Sequence, residues 1–246
     1  MLRFNYDKVV EIYDDFELSQ KLNNKMTEEV TRVLQEQDCK NVWDAACGTG
    51  AQTIPLAKAG FNVSASDISP QMLKMARQKS EDLHIDFFQS DMILPIEDLQ
   101  PDAIITLYNA LGHLSKDHFH QALKNFHNLL PEGGIFIGDV DNRSFLEKPG
   151  KLPEDYFMSA CDKDSGWKRF SKAEPIGFGV YHMHDKWLQN DEEKIAEEWD
   201  LQTWYKEEID DELYRCGFTV LEWHDREFFD RPENERDSIL FIAQKS

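Results

Sequence analysis

The stretch from Val42 to Gly50 constrains the fold of this chain more than any other part of the sequence. An apolar run ends at Asp44, glycines follow at Gly48 and Gly50, and apolar residues recur at helical spacing over 51–59. Glycine suits such a turn because it adopts backbone angles that other residues avoid and leaves room for a ligand. The stretch therefore predicts a strand, a tight turn and a helix whose N-terminus offers unpaired N–H groups.

A second strand is predicted from Phe61 to Asp67, and it also ends in an acid. Asp67 lies 17 residues after Gly50, where a nucleotide-binding βαβ unit places the carboxylate that binds two ribose hydroxyls. The ligand is then a dinucleotide or another adenosine derivative. Because Thr53 stands where the dinucleotide fingerprint requires Gly or Ala, an NAD-dependent oxidoreductase is disfavoured.

Strands and helices alternate from residue 40 to residue 140, which predicts a parallel sheet with helices on both faces. Strands are expected near 41–45, 61–66, 84–88, 102–107 and 133–139, with helices near 51–59, 70–80 and 117–130. Ligands of such sheets bind beyond the carboxyl ends of the strands. The polar residues expected at those ends are Asp44, Asp67, Asp91, Asn109 and Asp139.

These motifs resemble those of class I S-adenosylmethionine (SAM)-dependent methyltransferases. Asp44-x-x-Cys47-Gly48-Thr49-Gly50 and the acid at Asp67 are joined by Ser90-Asp91-Met92 after strand three and by Leu129-Leu130-Pro131-Glu132-Gly133-Gly134 before strand five. The resemblance covers residues 40–140 well and the last thirty more loosely. It implies an α/β, Rossmann-like, doubly wound sheet of seven mostly parallel strands, with SAM as cofactor and S-adenosylhomocysteine (SAH) as product.

The resemblance also implies where the cofactor lies. The methionine part would contact Asp44 and the backbone of 46–50, the ribose would contact Asp67, and the adenine would lie against Ile68 with its edge near Asp91. The cofactor-binding residues implied in this way are Asp44, Ala45, Ala46, Cys47, Gly48, Gly50, Asp67, Ile68, Met72, Asp91, Met92 and Leu107.

The whole chain, 1–246, is interpreted as one methyltransferase domain with three parts. Helical apolar spacing predicts N-terminal helices within 1–38, the cofactor-binding core occupies 39–141 and 206–246, and 142–205 is a β-rich insertion covering the active site. Strand-rich residues on both sides of the turn at 189–192 predict a β-hairpin there.

The stretch from Leu107 to Leu114 resembles the corresponding stretch of glycine and sarcosine N-methyltransferases. Catalytic roles are predicted for Asn109, which could accept a hydrogen bond from a substrate amine, and for Tyr108, which could hold the methyl group or a cation. His113 is the nearby side chain that titrates near neutral pH, and it serves either as a base or as a structural residue at the start of the next helix.

Five residues are predicted to bind the substrate. Tyr6 and Tyr13 either close over the cofactor or belong to packing helices. The other three are Asp141, Asn142 and Arg143. They belong to the run Asp139-Val140-Asp141-Asn142-Arg143, which resembles the Asp-x-Arg-Asn-Tyr motif of those N-methyltransferases, in which the Arg supports binding of a carboxylate. Because an acid replaces that Arg, glycine is a poor candidate, and Asp141 with Glu197 or Glu198 favours a cationic or amine-bearing substrate.

Composition restricts the partners. The net charge of −20 repels nucleic acid and anionic membranes. The four cysteines have no paired spacing, and no signal peptide is evident, so a cytoplasmic location is expected. No metal is expected, since His182 and His184, two apart on one strand, are more typical of packing or polar lining. Homo-oligomerisation stays open.

The sequence therefore predicts a SAM-dependent methyltransferase (EC 2.1.1.-) that acts on a small molecule, at an amine nitrogen. Two alternatives stay open. One is a small-molecule O-methyltransferase, and the other is a binding or sensor protein that keeps the SAM fold without turnover.

Overall fold

The computed structural model describes residues 1–14, 17–148, 152, 155–161, 165–224 and 238–246, with the backbone alone at 17–23, 160 and 161. Its helices are α1 (Glu17–Glu36), α2 (Thr53–Lys58), α3 (Pro70–Lys79), α4 (Lys116–Leu129), α5 (Arg143–Leu146) and α6 (Lys206–Arg215). Its strands are β1 (Asn41–Asp44), β2 (Asn62–Asp67), β3 (Ile85–Gln89), β4 (Ala103–Thr106), β5 (Ile135–Asp141), β6 (Phe157–Cys161), β7 (Trp167–Gly177), β8 (Val180–Gln189), β9 (Glu192–Gln202), β10 (Phe218–His224) and β11 (Ser238–Lys245).

Seven of the described strands form one sheet in the order β10-β11-β5-β4-β1-β2-β3. All neighbouring pairs are parallel except β11, which runs antiparallel to both β5 and β10. The strand order reverses on the two sides of β1, which pairs with β2 and β4, and this is where doubly wound sheets bind ligands. The predicted fold class is confirmed.

Local signals in the sequence begin and end the helices. The Ser69 hydroxyl accepts a hydrogen bond from the Met72 amide at 3.0 Å, and Pro70 occupies the first turn of α3. Ser115 caps α4 through the His118 amide in the same way. Gly217, with φ of +83°, follows the last turn of α6 in a conformation that favours glycine. Caps of this kind fix where each helix starts relative to the sheet.

The N-terminal part differs from its prediction. Instead of a first regular helix, residues 6–8 form a 3₁₀ turn, and further turns continue to residue 14 before α1. The Asn5 side chain accepts from the Asp7 amide, which is a local bond that competes with helix formation. Val9 and Ile12 pack with Phe4 against the insertion instead of the large sheet. The helical spacing at Phe16 and Leu22 falls on side chains outside the described residues.

The insertion contains a four-stranded antiparallel sheet, β6-β7-β8-β9, which we call the cover sheet. Its predicted hairpin turns at Asn190 and Asp191, which have φ of +53° and +65°, the positive pair that a tight type I′ hairpin requires. Side chains of β8 alternate between half-buried and buried positions. The buried ones, including Met183 and Trp187, pack on the apolar residues of the N-terminal segment, residues 1–14. The segment thus lies between the cover sheet and the core.

Three of the four cysteines, Cys39, Cys47 and Cys216, are buried free thiols, while the side chain of Cys161 lies outside the described residues. No helix within the described part of the chain is both long and apolar enough to cross a membrane.

A buried polar pair joins β1 to β2. The Trp43 indole N–H donates to the Ser66 hydroxyl at 3.0 Å, and both residues are fully buried. We expect Ser66→Ala to lower the free energy of unfolding by about 1–3 kcal/mol, because the indole N–H loses its acceptor inside the core. Urea unfolding should detect this loss. With Trp43→Phe as partner, the double variant should lose about 1 kcal/mol less than the sum of the single variants; additive losses would contradict the pairing.

Candidate functional site

A cleft opens at the carboxyl ends of β1, β2 and β4, beneath the N-terminal segment. Its volume is about 820 Å³ when the solvent-filled space at its open mouth is included. Ten of the twelve predicted cofactor residues line it: Ala45, Ala46, Cys47, Gly48, Asp67, Ile68, Met72, Asp91, Met92 and Leu107. Four further predicted residues also line it: Tyr6, Tyr13, Tyr108 and His113.

Asp67 organises the floor of the cleft. One carboxylate oxygen accepts from the Gly48 amide at 2.8 Å and the other from the Ser69 amide at 2.9 Å, so this acid joins the glycine turn to the start of α3. Burial raises the pKa of Asp67 above its ordinary value, although these bonds oppose the shift. Gly48 has φ of +53° and open space where a Cβ would project, so the backbone is accessible to a ligand.

Two predicted cofactor residues lie behind the turn and do not line the cleft. Asp44 is buried and accepts a hydrogen bond of 2.6 Å from the Thr53 hydroxyl. Burial, with the nearby charge of Asp67 adding to it, raises the pKa of Asp44 to about 7. Gly50 has φ of +90°, and a Cβ there would approach the Ile54 side chain within 2.9 Å, so it is needed for packing. Thr53, which departs from the dinucleotide fingerprint, therefore acts as a hydrogen-bond donor to Asp44.

Aromatic hydroxyls and one imidazole form the opposite end of the cleft. The Tyr6 hydroxyl lies 2.8 Å from Nε2 of His113, and Trp199 of the cover sheet stacks on the same imidazole at 4.6 Å. The Tyr108 hydroxyl accepts from Gln52 at 2.6 Å. Burial raises the pKa of Tyr6, of Tyr108 and, to about 12, of Tyr13, so all three hydroxyls stay protonated at neutral pH.

The structure does not bring Asn109 into the cleft. Its side-chain amide donates to Asp141 Oδ2 at 3.2 Å, and its amide oxygen accepts from the Asp141 backbone at 3.0 Å. Its own backbone N–H donates to Asp139 at 2.9 Å, while φ is +59°. A Cβ at Gly112 would lie 2.4 Å from the Asn109 side chain, so glycine is needed there. Asn109 thus fixes the loop after β4 to the end of β5.

The run of Asp141, Asn142 and Arg143 also lies outside the cleft. Asp141 is buried in its pairing with Asn109, and Asn142 caps α5 by accepting from the Ser144 amide. Arg143 is buried as well, and it donates to the Thr203 carbonyl and forms an ion pair with Glu208 at 3.0 Å. These residues connect β5 to the cover sheet and α6. The predicted acidic substrate surface is not assembled either, because Glu197 pairs with Lys8 and Glu198 with His184.

Five lining residues were missed from the sequence: Arg3, Phe4, Ala51, Ala110 and Leu114. Arg3 donates to Asp91 at 2.5 Å, 88 residues away in the chain. Nothing in the local sequence around Arg3 indicates such a contact. Thr49 also lines the cleft, within the 46–50 backbone predicted to contact the cofactor, and Ala51 follows that turn directly, so its position alone could have indicated it.

Three trios in the described part of the chain bring potential metal ligands within 4.8 Å of one another, and all lie outside the cleft. They are His120 with Glu212 and Cys216, His182 with His184 and Glu198, and Glu29 with Glu222 and His224. Each is held by its own ion pairs or hydrogen bonds.

Comparison with known proteins identifies relatives along the whole chain. Residues 42–134 match the family model described as a methyltransferase domain. YqeM of Bacillus subtilis (strain 168), named as a methyltransferase, is 30% identical over 249 residues, spanning 98% of this chain and 97% of YqeM. The glycine/sarcosine N-methyltransferase of Parasynechococcus marenigrum (strain WH8102) is 31% identical over 170 residues, spanning 62% of this chain and 59% of that enzyme.

A solved structure agrees with the fold over nearly the full length. The S-adenosylmethionine-dependent methyltransferase from Clostridium acetobutylicum ATCC 824 superposes with a TM-score of 0.75 at 21% identity. The superposition covers 98% of this chain and 96% of the Clostridium protein.

The pKa of Asp44 gives a prediction for the ligand-free protein. Because the folded state holds this proton up to about pH 7 and the unfolded state releases it near the ordinary value of 3.8, folding stability decreases as pH rises between those values. The slope is about 1.4 kcal/mol per pH unit, and it flattens above pH 7. Urea unfolding should show that the wild type loses stability relative to Asp44→Asn as the pH rises across this range. A difference independent of pH would contradict the shifted pKa.

Proposed function

This chain belongs to the SAM-dependent methyltransferases, and from that premise we propose that it methylates an amine nitrogen of a small molecule. The cofactor is SAM, which supplies an electrophilic methyl group on a sulfonium that is already a good leaving group. The chain's own task is therefore to hold the acceptor in line with that methyl group and to exclude water.

The residues at the cleft floor fit this cofactor. We propose that the carboxylate of Asp67 accepts the two ribose hydroxyls in addition to its two backbone bonds, since a carboxylate has about four acceptor positions. Ile68, 39% exposed beside the cleft, is available for an adenine face. Asp44, which lies just behind the turn with a raised pKa, would ionise more readily once an ammonium group approached.

The proposal of an amine rests on the protonation states at the aromatic end of the cleft. We call this end, formed by Tyr6, Tyr13, Tyr108 and His113, the acceptor end. A hydroxyl acceptor needs a base to remove its proton, whereas a neutral amine attacks with its lone pair. The tyrosine hydroxyls there are held protonated, and the two carboxylates that line the cleft, Asp67 and Asp91, are both hydrogen-bonded. The one imidazole, His113, is bonded to Tyr6. Such a surface is better suited to placing a nucleophile than to deprotonating one.

The relatives support the same choice. The glycine/sarcosine N-methyltransferase matched over 62% of this chain acts, by its name, on amine nitrogens. Because this chain spans a little over half of that enzyme, we propose the class of the acceptor atom and not the substrate of that enzyme.

We assign Tyr108 and His113 to the acceptor surface and Asn109 to a positioning role. The aromatic faces around the cleft can stabilise the sulfonium and an amine that gains charge during transfer. Asn109 holds the loop that carries Tyr108 against β5 through Asp141, so its substitution should affect placement instead of proton transfer.

Turnover of matched acceptors tests the proposal. Primary and secondary amines should yield SAH and an N-methylated product located by NMR, whereas the corresponding alcohols and phenols should react at least tenfold more slowly. His113→Gln should lower amine turnover less than about tenfold, because general-base catalysis, with its ~10²–10⁴-fold contribution, is not required. His118→Gln, exposed on α4, is the matched control. Methylation confined to oxygen would establish the O-methyltransferase instead, and SAH binding without any turnover would establish the sensor protein.

Cofactor binding tests the role of Asp67. We expect Asp67→Ala to weaken SAH binding at least about 100-fold in calorimetry, since each hydrogen bond to a charged group contributes about 1.5–3 kcal/mol. Asp86→Ala, an exposed acid on the adjacent strand β3, should leave affinity unchanged. Equal affinities in the two variants, with matching melting curves, would remove Asp67 from the ribose site.

A further inference from the structure

The inner face of the cover sheet carries a charged pair among apolar residues. Arg169 on β7 binds Asp185 on β8 through two parallel bonds, with Nε at 3.2 Å from Oδ1 and Nη2 at 2.6 Å from Oδ2. The Asp185 side chain has no exposure to solvent, whereas 26% of the Arg169 side chain stays accessible. A ligand that reaches this pair therefore meets the guanidinium and not the carboxylate.

Asp185 is fully used inside the sheet. Besides Arg169, it accepts from the Ser171 hydroxyl at 2.5 Å and from the Trp199 indole N–H at 2.6 Å. Burial acts to raise the pKa of Asp185, but the charge of Arg169 and these hydrogen bonds outweigh it and hold the pKa below its ordinary value. By contrast, no hydrogen bond involves Nη1 of Arg169 within the part of the chain that the structure describes. The guanidinium keeps an unused donor edge.

Arg169 does not itself line the cleft, but a chain of ring contacts connects it to the cleft residue Phe4. Its guanidinium lies over the ring of Trp187 at 5.2 Å, and Trp187 contacts the cleft residue Phe4 with ring centroids 5.7 Å apart. Asp185, its partner, holds the indole of Trp199, which stacks on His113. The charge of Arg169 also lowers the pKa of the Tyr6 hydroxyl, against the larger raising effect of burial, which places the two groups within electrostatic reach.

We propose that Arg169 binds an anionic group of the methyl acceptor, so that the substrate is a small amine that also carries a carboxylate or phosphate. This inference rests on the proposed amine methylation and names the class of its substrate. A guanidinium fixed by a buried carboxylate is rigid and presents two N–H groups side by side, a geometry that suits bidentate binding of such an anion. Its remaining N–H groups can donate to an anion, although the net charge of −20 of the whole chain repels one.

A purely structural Arg169 would behave differently. If it did no more than neutralise Asp185, its loss would affect every acceptor equally, whatever charge the acceptor carries. If instead it bound the carboxylate of the cofactor, its loss would weaken SAH binding. The proposed role predicts a selective loss that depends on the anionic group of the acceptor alone.

Matched ligand pairs measure that selectivity on the full-length protein saturated with SAH. The pairs are glycine with methylamine, tyrosine with tyramine, and phosphoethanolamine with ethanolamine, each titrated by calorimetry. For the wild type we expect at least one member that carries an anionic group to bind 10- to 100-fold more tightly than its partner that lacks this group. Arg169→Gln should abolish that preference while leaving the partner's affinity within about twofold, and Arg169→Lys should restore part of it.

Lys168→Gln is the matched control, since it removes one positive charge from the adjacent residue of β7, whose amine pairs with Asp191 at 2.7 Å. It should keep the preference. Because Arg169→Gln leaves Asp185 buried and unpaired, the double variant Arg169→Gln/Asp185→Asn provides a folded alternative with the same expected loss.

Three results would overturn the inference: no anionic member binds the wild type better than its partner, Arg169→Gln weakens both members equally, or it weakens SAH binding. Failure of the amine proposal is distinguishable, because the titrations do not depend on turnover. Suppose that Arg169→Gln abolishes a preference for the anionic member but that methylation occurs at oxygen. The anion-binding role of Arg169 would then stand, and the proposed amine acceptor would be rejected.

Discussion

The carboxylate of Asp67 is the contact on which the cleft depends. It ends β2, and its two oxygens accept the amides of Gly48 in the turn after β1 and of Ser69 at the start of α3. One side chain thus sets the separation between two adjacent strand ends and the helix that follows. Since these bonds leave acceptor capacity on each oxygen, the same group that builds the floor can also bind a ligand.

The second requirement is a cover, and it comes from parts of the chain that are distant in sequence. The N-terminal segment crosses the cleft, and Arg3, Tyr6 and Asp7 contact Asp91, His113 and Ser69 respectively. The cover sheet packs on the other side of that segment through an aromatic cluster. This arrangement covers the cleft with aromatic side chains, which is consistent with the proposed transfer, since that transfer needs placement more than proton removal.

Burial in such a cover has electrostatic consequences. It keeps the cleft tyrosines protonated and makes the Arg169–Asp185 pair depend on complete hydrogen bonding of its acid, while burial behind the glycine turn raises the pKa of Asp44 to about 7. A chain with a net charge of −20 thus keeps an accessible guanidinium in its cover sheet.

Local sequence patterns were sufficient to predict the doubly wound fold, the glycine turn and most of the cofactor floor, because strand periodicity, Gly48 and the acid at Asp67 act over short stretches of chain. The sequence also predicted Tyr6, Tyr13, Tyr108 and His113 at the cleft. Tertiary structure decided the rest. Asn109 and Asp141 bind each other, and Arg143 is buried against Thr203. Those outcomes depend on which side chains meet across more than thirty residues of chain, which no local pattern encodes.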